Sequence, residues 1–340
     1  MFTALRVRKL LAALFICTLV MPALALTIST ASAQETKTVA FASGHGQLGS
    51  EDTWDAYNDL LDDLVGLDYE TEEIEGTITA AELTGVDLLM LGAVYGVNLT
   101  NAEISAIESW FDDGEKAIWV GCDSDYGGGH IIIMENCNKV LEAIGSKIRV
   151  EPTQVLDGES NAQAGYRVVA NVTNHEDEQI EDITQGVEKV LYHGPSILAG
   201  FVEDEWVALE ETEVENVFWI QMTSPASAIA DTDFAEGAMF EPKAHGLTDE
   251  GSFVIFAVER FAGPDQNNKI IVTGATPYGD YKPMYASEYY DVALDGPDLV
   301  TQAIVWSLEV ESPPAFDITL IIGIIVVIII IVAVALYVRR

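Results

Sequence analysis

Hydrophobic and polar positions follow two alternating periods along most of this chain. Short, continuously apolar runs at residues 38–43, 86–93 and 116–121 predict strands buried on both faces. Between them Trp54, Tyr57, Leu61 and Leu64 recur at helical spacing, as do Ile104, Ile107 and Phe111. The second of these helices carries signals at both ends. Thr100 and Glu103 form a capping box, and Gly114 supplies the stop. Residues 69–74 read as a strand with exposed acids, 136–144 as a helix stopped by Gly145, and 147–151 as a further strand. Strands alternating with helices of about a dozen residues imply a mainly parallel sheet covered on both faces.

The second half is richer in strands, at 166–171, 196–201, 217–222, 253–261 and 269–273, before a closing helix at 297–308. Segments 203–216 and 231–251 are acidic and weakly patterned, and read as surface insertions. No linker is long or biased enough to demand a domain boundary, so one elaborated α/β domain is expected.

The two ends follow neither period. Arg6, Arg8 and Lys9 precede an apolar run over 10–26, and Ala31-Ser32-Ala33 offers the small-residue pattern read by signal peptidase, so residues 1–34 read as a signal peptide. Residues 318–338 are 21 uncharged positions. At about 1.5 Å per residue they span ~31 Å, the thickness of the hydrocarbon layer. Pro313 and Pro314 open a hinge over 313–317, and Arg339-Arg340 form a basic cytoplasmic stub. The expectation is a single-pass cell-membrane protein whose N-terminal domain, residues 35–312, lies outside the cytoplasm. A sorting signal cut ahead of the helix is the alternative.

Charge narrows the classes of partner. Residues 35–317 hold all 55 acidic residues against 11 of the 16 basic ones, a formal charge of −44. That field repels nucleic acid and anionic headgroups, and fits a soluble domain in a salty exterior. Cys17 leaves with the signal, and Cys122 and Cys137 remain as a disulfide candidate, closing a loop worth ~3 kcal/mol in the chain-entropy model. Sequons at Asn98 and Asn171 are compatible with glycosylation.

Candidate chemistry sits in the loops that follow strands, because ligands of open parallel sheets bind at the carboxyl ends. Residues 44–49 match G-x-G-x-x-G, yet the net charge opposes phosphate, and the run reads as a turn rather than a nucleotide loop. No cofactor is called for. The fourth strand runs into Gly121-Cys122-Asp123-Ser124-Asp125-Tyr126, with glycines and His130 beyond. Three readings are open there. Cys122 could be a nucleophile assisted by His45 or His193. Asp123 and Asp125 could offer carboxylates to a hard cation. The run could also be a structural turn capping the next helix. A similar turn, residues 274–279, ends the strand at 269–273, and the two could frame one edge of the sheet, with His193-Gly194-Pro195 beside them.

The order of these elements resembles the class I glutamine amidotransferase-like superfamily. The resemblance is carried by the strand ending in His45-Gly46-Gln47, the Leu99-Thr100-x-x-Glu103 helix start, the Trp110-Phe111-x-x-Gly114 helix end, and the strand into Gly121–Asp125. It is nearest to the branch shared by an intraflagellar-transport subunit and gliding-motility-associated transporter proteins, through residues 183–187, His193-Gly194-Pro195 and residues 303–306. It implies a flavodoxin-like three-layer sandwich; the ligand face expected from the strand-end loops contains His45, Gln47, Cys122, Asp123, Ser124, Asp125, Tyr126 and His193. It does not imply amidotransferase activity. Gly121 directly precedes Cys122, so the G-x-C-x-G elbow is broken, and no downstream His-x-Glu pair is evident. The expected function is a non-catalytic binding or assembly domain for a protein, glycan or small solute, in the setting of a transporter. The alternatives are a cysteine-dependent hydrolase or amidase, and a structural envelope protein.

Overall fold

The computed structural model describes residues 36–49, 54–128, 130–230, 232 and 241–309. The expected signal peptide, hinge, membrane helix and stub lie outside the described residues. Among the described residues no helix is long and apolar enough to cross a membrane.

The strands of the first half are β1 (Thr38–Ala42), β2 (Glu70–Ile74), β3 (Leu88–Leu91), β4 (Ala117–Gly121), β5 (Ile148–Val150), β6 (Gln154–Asp157), β7 (Arg167–Ala170) and β8 (Val172–Thr173). Those of the second half are β9 (Val190–His193), β10 (Leu198–Val202), β11 (Glu205–Ala208), β12 (Val217–Met222), β13 (Ser227–Ala230), β14 (Glu250–Gly251), β15 (Val254–Ala262), β16 (Asn268–Thr273), β17 (Glu288–Tyr289) and β18 (Val292–Ala293). The helices are α1 (Trp54–Gly66), α2 (Asn101–Asp112), α3 (Ile131–Ala143), α4 (Glu181–Thr184) and α5 (Gly296–Leu308).

The main sheet has the order β2-β1-β3-β4-β16-β15-β12-β8. The first five strands run parallel, in a register that aligns Val39, Leu88, Ala117 and Lys269 across it. The last three pair antiparallel, because a short turn joins β15 directly to β16. This mixed α/β arrangement with a large, mainly parallel sheet fits a flavodoxin-like fold.

Strand alternation divides the core in two. On one face Val39, Phe41, Leu88, Met90, Trp119 and Ile271 pack against Leu60 and Leu64 of α1 and Leu299, Val300 and Ile304 of α5. On the other, Ala40, Leu89, Ile118, Val120 and Val272 pack against Ile107 and Phe111 of α2 and Cys137, Val140 and Leu141 of α3. The strands are buried on both sides, which is why their sequences read as unbroken apolar runs.

The boundaries shift where tertiary contacts outweigh local pattern. Helix α3 starts at Ile131, before the expected 136, because Ile133 and Met134 are buried. Segment 203–216 is not merely an insertion: β11 pairs with β10 around a turn at Glu203 and Asp204, both in the left-handed region. The described part of 231–251 is fastened by His245, whose Nε2 lies 2.7 Å from Glu210 Oε1 and whose Nδ1 contacts Glu151. Burial disfavours the imidazolium. Hydrogen bonds and charges from Glu151 and Glu210 outweigh it and push the ring up to about 10 from 6.5.

Two predictions follow from these contacts. The buried Tyr278 hydroxyl accepts from Gly92 N at 3.0 Å and lies 2.7 and 2.8 Å from the Ala42 and Met90 carbonyls. Tyr278→Phe leaves these groups unpaired and is expected to cost about 1–3 kcal/mol, read from the urea midpoint of the full chain in detergent. Stability from His245 is complete below about pH 6.5 and gone above about pH 10. Wild-type midpoints should therefore fall across that window, and His245→Asn should flatten the slope.

Candidate functional site

The carboxyl ends of β1, β3, β4 and β16 share one edge of the sheet, and the loops leaving them interlock. Asp280 N donates to Gln47 O at 3.0 Å, so loop 44–49 lies against loop 274–280. The approach is close enough to require glycine on both sides. A Cβ on Gly279 (φ +70°) would lie 2.0 Å from Gln47 O, and one on Gly49 (φ +68°) would lie 2.4 Å from Asp280 O. Here the glycines of the G-x-G-x-x-G match let two backbones of the same chain meet. Gln47 is wholly buried, and its Oε1 accepts from His45 N at 2.8 Å.

Asp123 forms the centre. Its Oδ1 accepts from Ser124 N at 2.7 Å, and its Oδ2 accepts from the Tyr95 hydroxyl at 2.9 Å and lies 3.0 Å from His130 Nδ1. The His130 ring stands edge-on to Tyr95 and Tyr126, with centroids at 5.5 and 5.9 Å. Hydrogen bonding to Asp123 raises the His130 pKa, against the opposing effect of burial. Burial, and then the charge of Asp123, pushes Asp280 up to about 6, while the Tyr95 hydroxyl and His130 act the other way. Tyr95 is raised by burial and by both carboxylates, so it remains a neutral donor. The result is a carboxylate pair joined through the Tyr95 phenol, with the His130 imidazole on Asp123 and Tyr126 exposed at the rim.

The remaining sequence candidates divide around this centre. Ser124 Oγ accepts from Gln154 Nε2 at 3.3 Å, beneath the turn at Gly194. His193 sits beside the cluster, with ring centroids 5.0 Å from Tyr281 and 5.4 Å from Tyr166. Burial chiefly lowers its pKa; Asp123 opposes this and Arg167 reinforces it. His45 serves the neighbouring helix instead, its Nε2 lying 3.0 Å from Glu103 Oε1. Burial alone would raise Glu103. Hydrogen bonds from Thr100 and Ile78, together with His45, hold it below the usual carboxylate range.

One expectation is corrected here. Cys122 and Cys137 are both free thiols, not a disulfide. Cys137 Sγ is directed at Gly121 O at 3.5 Å, and its pKa is raised by hydrogen bonding with Cys122 and by burial, so the two thiols lie together unbonded in the core. Cys122 is 0 % exposed, so it is no accessible nucleophile in this conformation. The Asp123 and Asp125 carboxylates have different partners. The Asp125 carboxylate accepts from Thr232 Oγ1 and N, and among the described residues no group of three or more ligating side chains could hold a metal. Asn98 and Asn171 are both exposed.

Sequence reasoning missed Tyr95 and Asp280, and gave no role to His130 at the end of the loop after the fourth strand. Asp280 lies just past the other loop that it had singled out, and only the interlocking of those loops shows that they meet.

No family model matches this chain, and no curated protein matches it in sequence. Solved structures do. The structure titled mmIFT52 N-terminal domain aligns with a TM-score of 0.53 at 14% identity, over 81% of this chain and all of that one. A ThuA-like protein from Bacteroides uniformis aligns at 0.43 and 13%, over 83% and 94%. The glutaminase domain of Trypanosoma brucei CTPS aligns at 0.34 and 11%, over 82% and 98%. At 14% identity the first of these likenesses is one of fold alone.

The geometry makes one test direct. Asp123→Asn removes the charge that raises two neighbours, so imidazole NMR should show the His130 midpoint falling toward 6.5 and carboxyl NMR the Asp280 midpoint falling from about 6 toward 3.8. Unmoved midpoints would mean that the three groups do not form one cluster.

Proposed function

We propose that this chain is a non-catalytic binding or assembly domain, exported and held to the cell membrane through residues 318–338. Its strand-end face engages a protein, glycan or small solute outside the cytoplasm. The observation that carries this reading is the division of one loop into a sealed part and an open part. Cys122, where a nucleophile would have to stand, is 0 % exposed against Cys137, whereas Tyr126 beyond it is 63% exposed beside the Asp123–His130 pair. A nucleophile must be an accessible thiolate. A recognition surface needs exposed aromatic and hydrogen-bonding groups on a rigid base, and the rim of this loop has both.

The described chain ends away from the candidate site. Lys269, at the start of β16, donates to the carbonyls of Trp306 (2.6 Å) and Glu309 (3.1 Å) at the end of α5. The last described residue, Glu309, therefore lies at the end of the sheet opposite Asp123 and Asp280.

The test is alkylation of the native full chain in detergent with iodoacetamide at neutral pH, read by peptide mass spectrometry. Neither Cys122 nor Cys137 should react until the protein is denatured. Rapid native alkylation of Cys122 would sink the reading and bring forward the cysteine-dependent hydrolase. Protease added to intact cells should remove the domain and spare the anchor; protection of the domain would defeat the assigned topology.

A further inference from the structure

Among the described residues Arg167 is a cation without an anion. Acidic residues outnumber basic ones 55 to 16 in the chain, yet among the described residues no carboxylate lies within ion-pair distance of its guanidinium. Its Nη1 makes one long hydrogen bond, to Ala162 O at 3.4 Å, and its Nε is buried without a partner. What holds it is aromatic. Its Cζ stands 4.2 Å from the Tyr290 ring centroid, 5.0 Å from Tyr166 and 5.7 Å from Tyr289, and the Tyr166 hydroxyl is its other polar neighbour.

The surroundings are built to keep it there. Antiparallel pairing of β7 with β9 sets Arg167 directly opposite His193, so both side chains leave the same face. His193 Nε2 is buried and unpartnered, and its ring packs on Tyr281 and Tyr166. The β17–β18 hairpin docks through Tyr289 and Val292 onto Ala162, Val169 and Leu191. Its tip carries Tyr290 at φ +49°, a left-handed conformation that bulky residues rarely adopt. Tyr166, Tyr281 and Tyr290 are 37, 64 and 42% exposed.

We propose that Arg167, with Tyr166, Tyr289, Tyr290 and His193, forms a site for a single carboxylate on a small organic ligand. The ligand's apolar or C–H face lies on the tyrosine rings. A guanidinium fork matches a carboxylate through two parallel hydrogen bonds, and a fork already held between rings loses little freedom on binding. The same rings offer apolar area with hydroxyls at their edges. The acidic field of the domain opposes an extended polyanion, and Arg167 itself opposes a cation, which leaves a small monoanion. The inference deepens the binding reading above, on which it rests for the face concerned. Uronic acids and N-acylated amino acids share the required chemistry.

Titration calorimetry of the full chain in detergent tests it, with D-glucuronate and N-acetylleucine as probes and glucose and N-acetylleucinamide as their uncharged counterparts. At least one carboxylate should bind, with its neutral counterpart about tenfold weaker or worse, the loss of one charge-assisted pair. Binding of glucuronate alone assigns a sugar acid, and binding of N-acetylleucine alone assigns an acylated amino acid. Arg167→Gln should weaken the productive probe at least about tenfold with an unchanged thermal midpoint. Arg167→Lys, which keeps the charge and loses the fork, supplies the comparison if the glutamine variant fails to fold, and should also bind more weakly. Binding of neither acid, equal binding of acid and neutral partner, or full affinity in the folded variants overturns the proposal. Failure here with both thiols still unreactive leaves the binding reading standing. Rapid alkylation of native Cys122 alongside intact carboxylate binding does the reverse.

Discussion

The Tyr278 hydroxyl is the contact on which the strand-end edge of this protein depends. Where parallel strands end together, their last carbonyls and the first loop amides lose their ladder partners, and burial makes such orphans costly. A single phenol answers three of them, accepting from Gly92 N and facing the carbonyls of Ala42 and Met90 at the ends of β1 and β3. Its ring meets Phe41 at 5.2 Å and Tyr57 at 5.7 Å, tying the same point to α1. Because Tyr278 is fastened there, Gly279 and Asp280 are carried against loop 44–49. Asp280 then arrives beside Tyr95 and Asp123.

Charge is used sparingly in a domain with few cations. Lys269 is buried and serves backbone carbonyls at the end of α5. Arg149 is buried as well, donating to the carbonyls of Ser146 and Ile148 beneath the Phe201 ring. His245 joins two carboxylates, and Glu103 closes a capping box while accepting from Ile78 N. These groups act inside the fold, which sets Arg167 apart: it faces tyrosines at the surface.

The loop after β4 has a sealed part and an open part. Its first residue, Cys122, belongs to the core with Cys137, and its carboxylates point in different directions, Asp123 to the Tyr95–His130 cluster and Asp125 to Thr232. Beyond them the backbone turns outward and exposes Tyr126.

The parallel half of the sheet and its covering helices were legible in the sequence, because burial on both faces leaves continuous apolar runs and capping leaves Thr100 and Glu103 at fixed spacing. The carboxyl-end loops were legible as the place to look, since strand polarity alone puts them on one edge. The sequence could not say which residues meet there. His130, Tyr95 and Asp280 are far apart along the chain, and their meeting depends on glycine contacts at positions 49 and 279 that only the packed loops reveal. The two cysteines read as a disulfide because spacing carries no information on where a thiol points. The tertiary structure directs Cys137 toward the Gly121 carbonyl. Local pattern determined which elements form and which way they run. Packing between loops distant in sequence decided which side chains share an environment, because that depends on close approaches no local signal records.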